Sequence, residues 1–130
     1  MPVPTQATYS LEAKIAANTA FRDLIDSKPG SGCLFLMDSA DSEIEYFGLT
    51  VPCGTVSPTT GKLTLTTEIT TKYAAGDHDI AYAVITDADG VEYLRLPAQE
   101  GSAPVSGKTV ISSTHISNGE PIEIVSFEIG

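Results

Sequence analysis

Cys33, Cys53, His78 and His115 are the side chains best suited to gather a metal ion or act as nucleophiles. A legible zinc site needs pairs at C-x-x-C or H-x-x-x-H spacing, and no pair here lies that close. Cys33 and Cys53 therefore read as small buried hydrophobes at strand ends. His78, between Asp77 and Asp79, reads as part of a solvated turn. Asp77-His78-Asp79 and Asp87-Ala88-Asp89-Gly90 offer several oxygens to a hard cation, yet the loop of roughly twelve residues ending in glutamate is missing. Asx-type turns are the expectation for both. Gly30-Ser31-Gly32 lacks the lysine of a phosphate loop and runs into a strand pattern. Gly101-Ser102-Ala103 has no strand-to-helix elbow on which to expose a serine. These patterns predict no catalytic residue, no metal ligand and no cofactor.

Composition narrows the classes further. The chain has 130 residues, 17 acidic against 7 basic side chains, a formal net charge of −10 and 42% hydrophobic residues. That length buries one core without disulfides or metals. The basic residues are scattered, so phosphate backbones meet no counter-charge, and a nucleic-acid partner is not expected. No apolar run approaches the ~20 residues that span a bilayer. Met-Pro-Val-Pro-Thr-Gln at the start has neither the basic nor the apolar region of a secretory leader. The expectation is a soluble protein made in a cytoplasm, with no membrane partner.

The elements that would position any site follow from periodicity. Residues 1–9, with Pro2 and Pro4, read as an extended arm. Ser10 is a good N-cap, Glu12 lies in the first turn, and Ala13, Ala17, Ala20, Phe21 and Leu24 recur at helical spacing. This predicts one helix over 10–27, ended by Pro29-Gly30, with that narrow alanine-rich stripe packed close against the body. Beyond Gly32 the period falls to about two, with turn clusters every eight to twelve residues. Strands are expected at 33–38, 43–51, 62–71, 80–86, 91–96, 109–116 and 121–129, all rich in Val, Ile, Thr, Tyr and Phe. Asp89-Gly90 marks the hairpin over 80–96. The last strand carries apolar residues on both parities, which predicts a bulge near Ile124-Val125. Residues 97–108 read as a long loop. The fold class is thus mainly β: an antiparallel sandwich or barrel-like body of about seven strands with one N-terminal α-helix. Residues 10–130 form a single domain.

The features left over concern association. The arm, with Pro2, Val3, Pro4, Thr5 and Tyr9, is the candidate interface, and the β body offers edges on which neighbours can be laid. Tyr46, Tyr73, Tyr82 and Tyr93 fall in or beside strands, where core or cross-strand packing is their expected use.

The order of segments adds a resemblance. Ala16-Ala17-Asn18-Thr19-Ala20-Phe21-Arg22-Asp23-Leu24-Ile25 is followed by a Gly-rich turn and Cys33-Leu34-Phe35-Leu36-Met37-Asp38. Later come Ala83-Val84-Ile85-Thr86-Asp87-Ala88-Asp89-Gly90-Val91 and Ile122-Glu123-Ile124-Val125-Ser126-Phe127-Glu128-Ile129. Over roughly residues 11 to 129 this resembles small tailed-bacteriophage virion proteins of the capsid decoration, or cement, type. It departs from them after the helix, where a Thr-Gly-x-x-Pro stretch is missing. The resemblance implies a non-enzymatic protein that stabilises the phage head, with the major capsid protein and further copies of itself as partners. A trimer is the first expectation for the homo-oligomer. It further implies residence on the capsid surface of the virion after a period in the host cytoplasm. The competing expectations are a tail, collar or fibre-attachment component and a carbohydrate- or ligand-binding β module.

Overall fold

The structure, a computed structural model, describes residues 10–105 and 107–129. The expected arm residues Pro2, Val3, Pro4, Thr5 and Tyr9 lie outside the described residues. In chain order the elements are α1 (Leu11–Ile25), β1 (Cys33–Met37), β2 (Glu43–Val56), β3 (Leu63–Thr67), β4 (Thr71–Tyr73), β5 (His78–Asp79) and β6 (Tyr82–Thr86). They continue with β7 (Glu92–Glu100), β8 (Lys108–Ile111), β9 (His115–Ile116) and β10 (Pro121–Ile129).

Seven strands close into a barrel in the order β3-β2-β1-β6-β7-β8-β10, and β10 returns to pair with β3. The mainly β class, the barrel-like body and the single helix agree with the sequence. β4 adds to the free part of β10, and β5 and β9 form a separate two-stranded sheet. One pairing departs from the antiparallel expectation: β7 and β8 run parallel, with Ala98 opposite Thr109. Parallel neighbours need a crossover, which follows Glu100. Gly101 lies against Val110, which is fully buried on β8.

Alternation sets which side chains fill the barrel. Leu34 and Leu36 of β1, Phe47 and Leu49 of β2, Leu63 and Leu65 of β3, Ala83 and Ile85 of β6, and Ile122 and Phe127 of β10 are all buried in one cluster. Cys33, Phe35 and Met37, on the other parity of β1, are half-buried. β10 achieves its alternation through the expected irregularity: its register against β8 shifts between Ile124 and Ser126. The Asp-Gly hairpin is formed by β6 and β7, with Gly90 at φ +84°.

Several boundaries move, each for a local reason. β2 runs on to Val56 because four residues, 50–53, bulge opposite Thr66 between the pairs Leu49–Thr67 and Gly54–Leu65. Gly54 is needed there, since a Cβ would sit 2.2 Å from Thr64 O. The segments expected as single strands at 62–71 and 109–116 each divide in two, because barrel pairing ends at Thr67 and Ile111. His78 lies in a short strand against Ile116 rather than in an open turn. Strand β7 reaches Glu100, so the long loop shrinks to the crossover.

The helix begins where expected, with the Ala13 N–H donating to Ser10 Oγ at 3.1 Å. Its orientation is a correction at four of the five expected stripe positions, Phe21 alone packing as expected. Ala13, Ala17, Ala20 and Leu24 face solvent, while Asn18, Phe21, Arg22 and Ile25 lie toward the barrel. Phe21 and Ile25 fill the open barrel mouth, whereas the alanines would bury little area there. Ile25 is fully buried and sits over Gly32, where a Cβ would lie 2.8 Å from Ile25 Cγ2 and 2.6 Å from Thr86 O. Asn18 Nδ2 donates to Gly61 O at 2.7 Å, tying the middle of the helix to the β2–β3 turn. At the opposite mouth Ala74, Ile80 and Ile116 complete the core.

This orientation makes a stability prediction. Ile25→Ala leaves a cavity at a site that cannot collapse and should cost about 2–4 kcal/mol. Leu24→Ala, its exposed neighbour, should cost under ~0.5 kcal/mol. Urea denaturation of the two variants checks it; equal losses would mean that the stripe and the packed face had been exchanged.

Candidate functional site

Three surfaces combine exposure with chemistry. The first is the outer face of α1. Leu24 is 45% exposed, and Ala13, Ala16, Ala17 and Ala20 on the same side of the helix are exposed too, whereas Leu11, 44% exposed in the first turn, lies on another side. The helix presenting this face is firmly seated. The Cys53 N–H donates to Asp26 Oδ2 at 3.0 Å, and the Cys53 thiol lies 3.7 Å from Arg22 O. Burial, with the Asp26 carboxylate beside it, pushes the Cys53 thiol up to about 12, so it stays protonated and unreactive. Cys33 is half-buried at the start of β1, and its thiol is raised chiefly by burial. Both cysteines are free. Each meets half of the expectation: Cys33 lies at a strand start but is half-buried, and Cys53 is buried but lies within β2.

The second surface is aromatic. Tyr46 on β2 and Tyr73 on β4 are 51% and 69% exposed. Tyr46 makes a cross-strand contact with Phe35, ring centroids 6.1 Å apart. Lys72 Nζ stands 4.0 Å from the centre of the Tyr46 ring, donates to Tyr46 O and lies 3.5 Å from Glu45 Oε1. Lys72 shares a face with the buried Ile122 through its register on β10, so its side chain links the β4 side of the barrel to β2. Tyr82 and Tyr93 are half-buried and donate to Asp41 Oδ1 and Asp87 Oδ2 at 2.6 and 2.7 Å. The packing expectation therefore fits Tyr46 in part and Tyr73 not at all.

The third surface is acidic. It gathers Asp38, Asp41, Asp77, Asp79 and Glu120 in the loops at the barrel end opposite α1. Asp38, Asp77, Asp79, His78 and His115 line one shallow depression of about 260 Å³. Most of its oxygens already have work. Asp38 Oδ1 accepts from the Ala40 and Ser42 N–H groups, Asp77 Oδ1 accepts from the Asn118 N–H, and Glu120 Oε1 accepts from the Ser117 N–H. His115 Nδ1 lies 2.5 Å from Asp79 Oδ1. Among the described residues no three His, Cys, Asp or Glu side chains converge as a metal site would require.

The second Asp-rich segment lies at the helix end. Asp87 forms the expected Asx-type turn, its Oδ1 accepting from the Asp89 and Val91 N–H groups at 2.9 and 3.0 Å. Burial alone would raise this carboxyl; the bonds from Tyr93, Val91 and Asp89 outweigh it and hold it below the usual range.

The sequence brought Cys33, Cys53, His78 and His115 together only as candidates; in the structure the histidines are neighbours and the cysteines lie on other strands. The outward helix face was missed because two stripes share α1, and Asn18 hid the packed one. The spacing of Ile15, Asn18, Phe21 and Ile25 was the available signal. No protein-family profile, curated protein or solved structure matches the chain.

The hydrogen bond to Asp79, then its charge, raises the pKa of His115. The pair's contribution is complete below the ordinary histidine value of about 6.5 and is lost as pH rises through the raised value. Both side chains are exposed, so the effect on stability is small. NMR titration should place His115 above that ordinary value, and Asp79→Asn should bring it down; an unmoved midpoint would detach the two residues.

Proposed function

We propose that this protein is a structural component of a tailed-bacteriophage virion, a capsid decoration protein that binds the assembled head and reinforces it. The observation that carries this reading is the apolar outer face of α1, carried by Ala13, Ala16, Ala17, Ala20 and Leu24, tied to a closed barrel and exposed among the described residues. Contiguous apolar surface of that kind serves association. The reading assigns the helix face to contact with the major capsid protein or a neighbouring copy, in a homo-oligomer, taken as a trimer. It places the acidic barrel end toward solvent, where net negative charge keeps decorated particles apart. The protein would pass through the host cytoplasm and end on the capsid surface, with no bond made or broken by it. Many equivalent sites on a shell multiply a modest affinity when an oligomer engages neighbours together.

A second reading, a carbohydrate-binding module, draws on a different observation, the exposed rings of Tyr46 and Tyr73. A tail, collar or fibre-attachment role would use the same helix face on a different ring.

Titration of undecorated heads with the purified protein tests the first reading. Binding should saturate at a fixed number of equivalent sites. Leu24→Glu should weaken it at least about tenfold while leaving stability within ~0.5 kcal/mol. Binding that ignores this substitution, or no binding to any head offered, would remove the capsid reading; a glycan array bound through Tyr46 would replace it.

A further inference from the structure

The outside of the barrel carries a second apolar cluster. Cross-strand register sets Phe35 beside Tyr46 on β2 and Val84 on β6, and Val84 beside Arg95 on β7. The next row sets Met37 beside Tyr82. These side chains point away from the core, because Leu34, Leu36, Ala83 and Ile85 take the inward parity. Val84 is buried without belonging to the core cluster, Phe35, Met37 and Tyr82 are half-buried, and Tyr46 is 51% exposed. The solvated face of an antiparallel sheet is normally polar, yet β1 offers Cys33, Phe35 and Met37 there. Since α1 packs chiefly on β2 and β3, this outer surface of β1 and β6 is left for association.

The two borders of the face differ in charge. Beside β2 stand the carboxylates of Glu43, level with Met37, and Glu68, which lies over Gly48. Lys72, over the Tyr46 ring, is already held by Glu45. Beside β7 stands Arg95, its guanidinium 5.3 Å from the centre of the Tyr82 ring and bonded to Glu92. A second copy can meet this face about either of two two-fold axes. An axis across the strands lays β2 on β2 and sets Glu43 and Glu68 against their own counterparts, like charge on like. An axis along the strands lays the β2 border of one copy on the β7 border of the other. Arg95 then comes over Tyr46 between Glu43 and Glu68, and Phe35 faces Val84, each contact made twice. The same axis leaves both helix ends on one side, so copies seated side by side through α1 can make it. The face spans four strands and the rows at Cys33, Phe35 and Met37, roughly 20 Å by 20 Å. That footprint of about 400 Å² is half of the ~800 Å² each partner gives a standard interface, and two chains of net charge −10 repel. The contact is therefore weak in free solution and gains when copies are held together.

We propose that a second copy of this chain docks on the outer face of β1 and β6 about a two-fold axis along the strands, Arg95 of each protomer meeting Tyr46, Glu43 and Glu68 of its partner. The contact is separate from any made by α1 and goes beyond the capsid reading, because its test needs no head. Sedimentation equilibrium of the full chain carrying Leu24→Glu, which disables the helix face, follows it up to about 1 mM protein. The expected result is a monomer–dimer equilibrium. Phe35→Glu or Arg95→Glu, added to this chain, should each raise the dimer dissociation constant at least about tenfold. Arg95→Glu combined with Glu43→Arg should return it to within about threefold of the parent. Where Phe35→Glu unfolds the barrel, the charge exchange alone decides. A monomer at every concentration, a dimer indifferent to Arg95→Glu, or a double substitution no tighter than Arg95→Glu alone would each overturn the proposal. Failure of the capsid reading shows separately, as heads that bind no protein.

Discussion

A closed sheet has an inside that must be filled and two mouths that must be stopped, and the rest of this molecule is organised by that requirement. Pairing consumes the strand edges around the ring except along part of one seam. The inward parity supplies Leu, Ile and Phe to the interior. Those side chains cannot seal the ends, where water would reach Leu49 and Ile85 on one side and Leu36 on the other. Ile25 of α1 at one end, and Ile80 and Ile116 beside the small sheet at the other, provide the stoppers. The helix is therefore part of the core, held by Ile25, the partly buried Phe21 and a few polar ties.

How much of this could be read beforehand follows from which forces are local. The N-cap at Ser10, the Asp-Gly hairpin and the β10 bulge depend on residues adjacent in sequence, and all three are present as expected. The parallel β7–β8 pair was not legible, because strand direction depends on how a distant crossover returns. The split of β3 from β4 was hidden for a similar reason: Thr-rich sequence continues through Ile69, and only the geometry of closure decides where pairing ends. The helix stripe failed on a competition between small and large residues. Alanine spacing was the more regular signal, but burial free energy follows area, and Phe21 and Ile25 carry more of it. The arm residues had no contacts predictable from sequence, so only their type was informative.

Charge is distributed along the barrel in a way composition could not reveal. Lys14, Arg22, Lys28 and Lys62 cluster around the helix and its adjoining turn, where they offset nearby carboxylates. The loops at the other mouth carry aspartates and glutamates whose oxygens mostly accept backbone N–H groups. Their acidity thus serves two purposes at different ranges. Locally it terminates turns; at a distance it gives the particle a sign and a direction. An approaching surface would meet the less charged, more apolar helix end with the smaller electrostatic cost.

The circular order of the strands has a consequence for synthesis. β10 leaves the ribosome after the other nine strands described, yet it stands between β8 and β3 and is hydrogen-bonded to both. Until it emerges, the nascent polypeptide is an open ribbon with two bare borders, one formed early and one late. Such borders recruit foreign strands, so the interval before β10 appears is when this chain is most exposed to them. Once β10 slots home, the β8 border is covered and the β3 border is paired at Leu63 and Thr64. A chain cut before Pro121 would keep the other strands of the ring and have no strand with which to shut it.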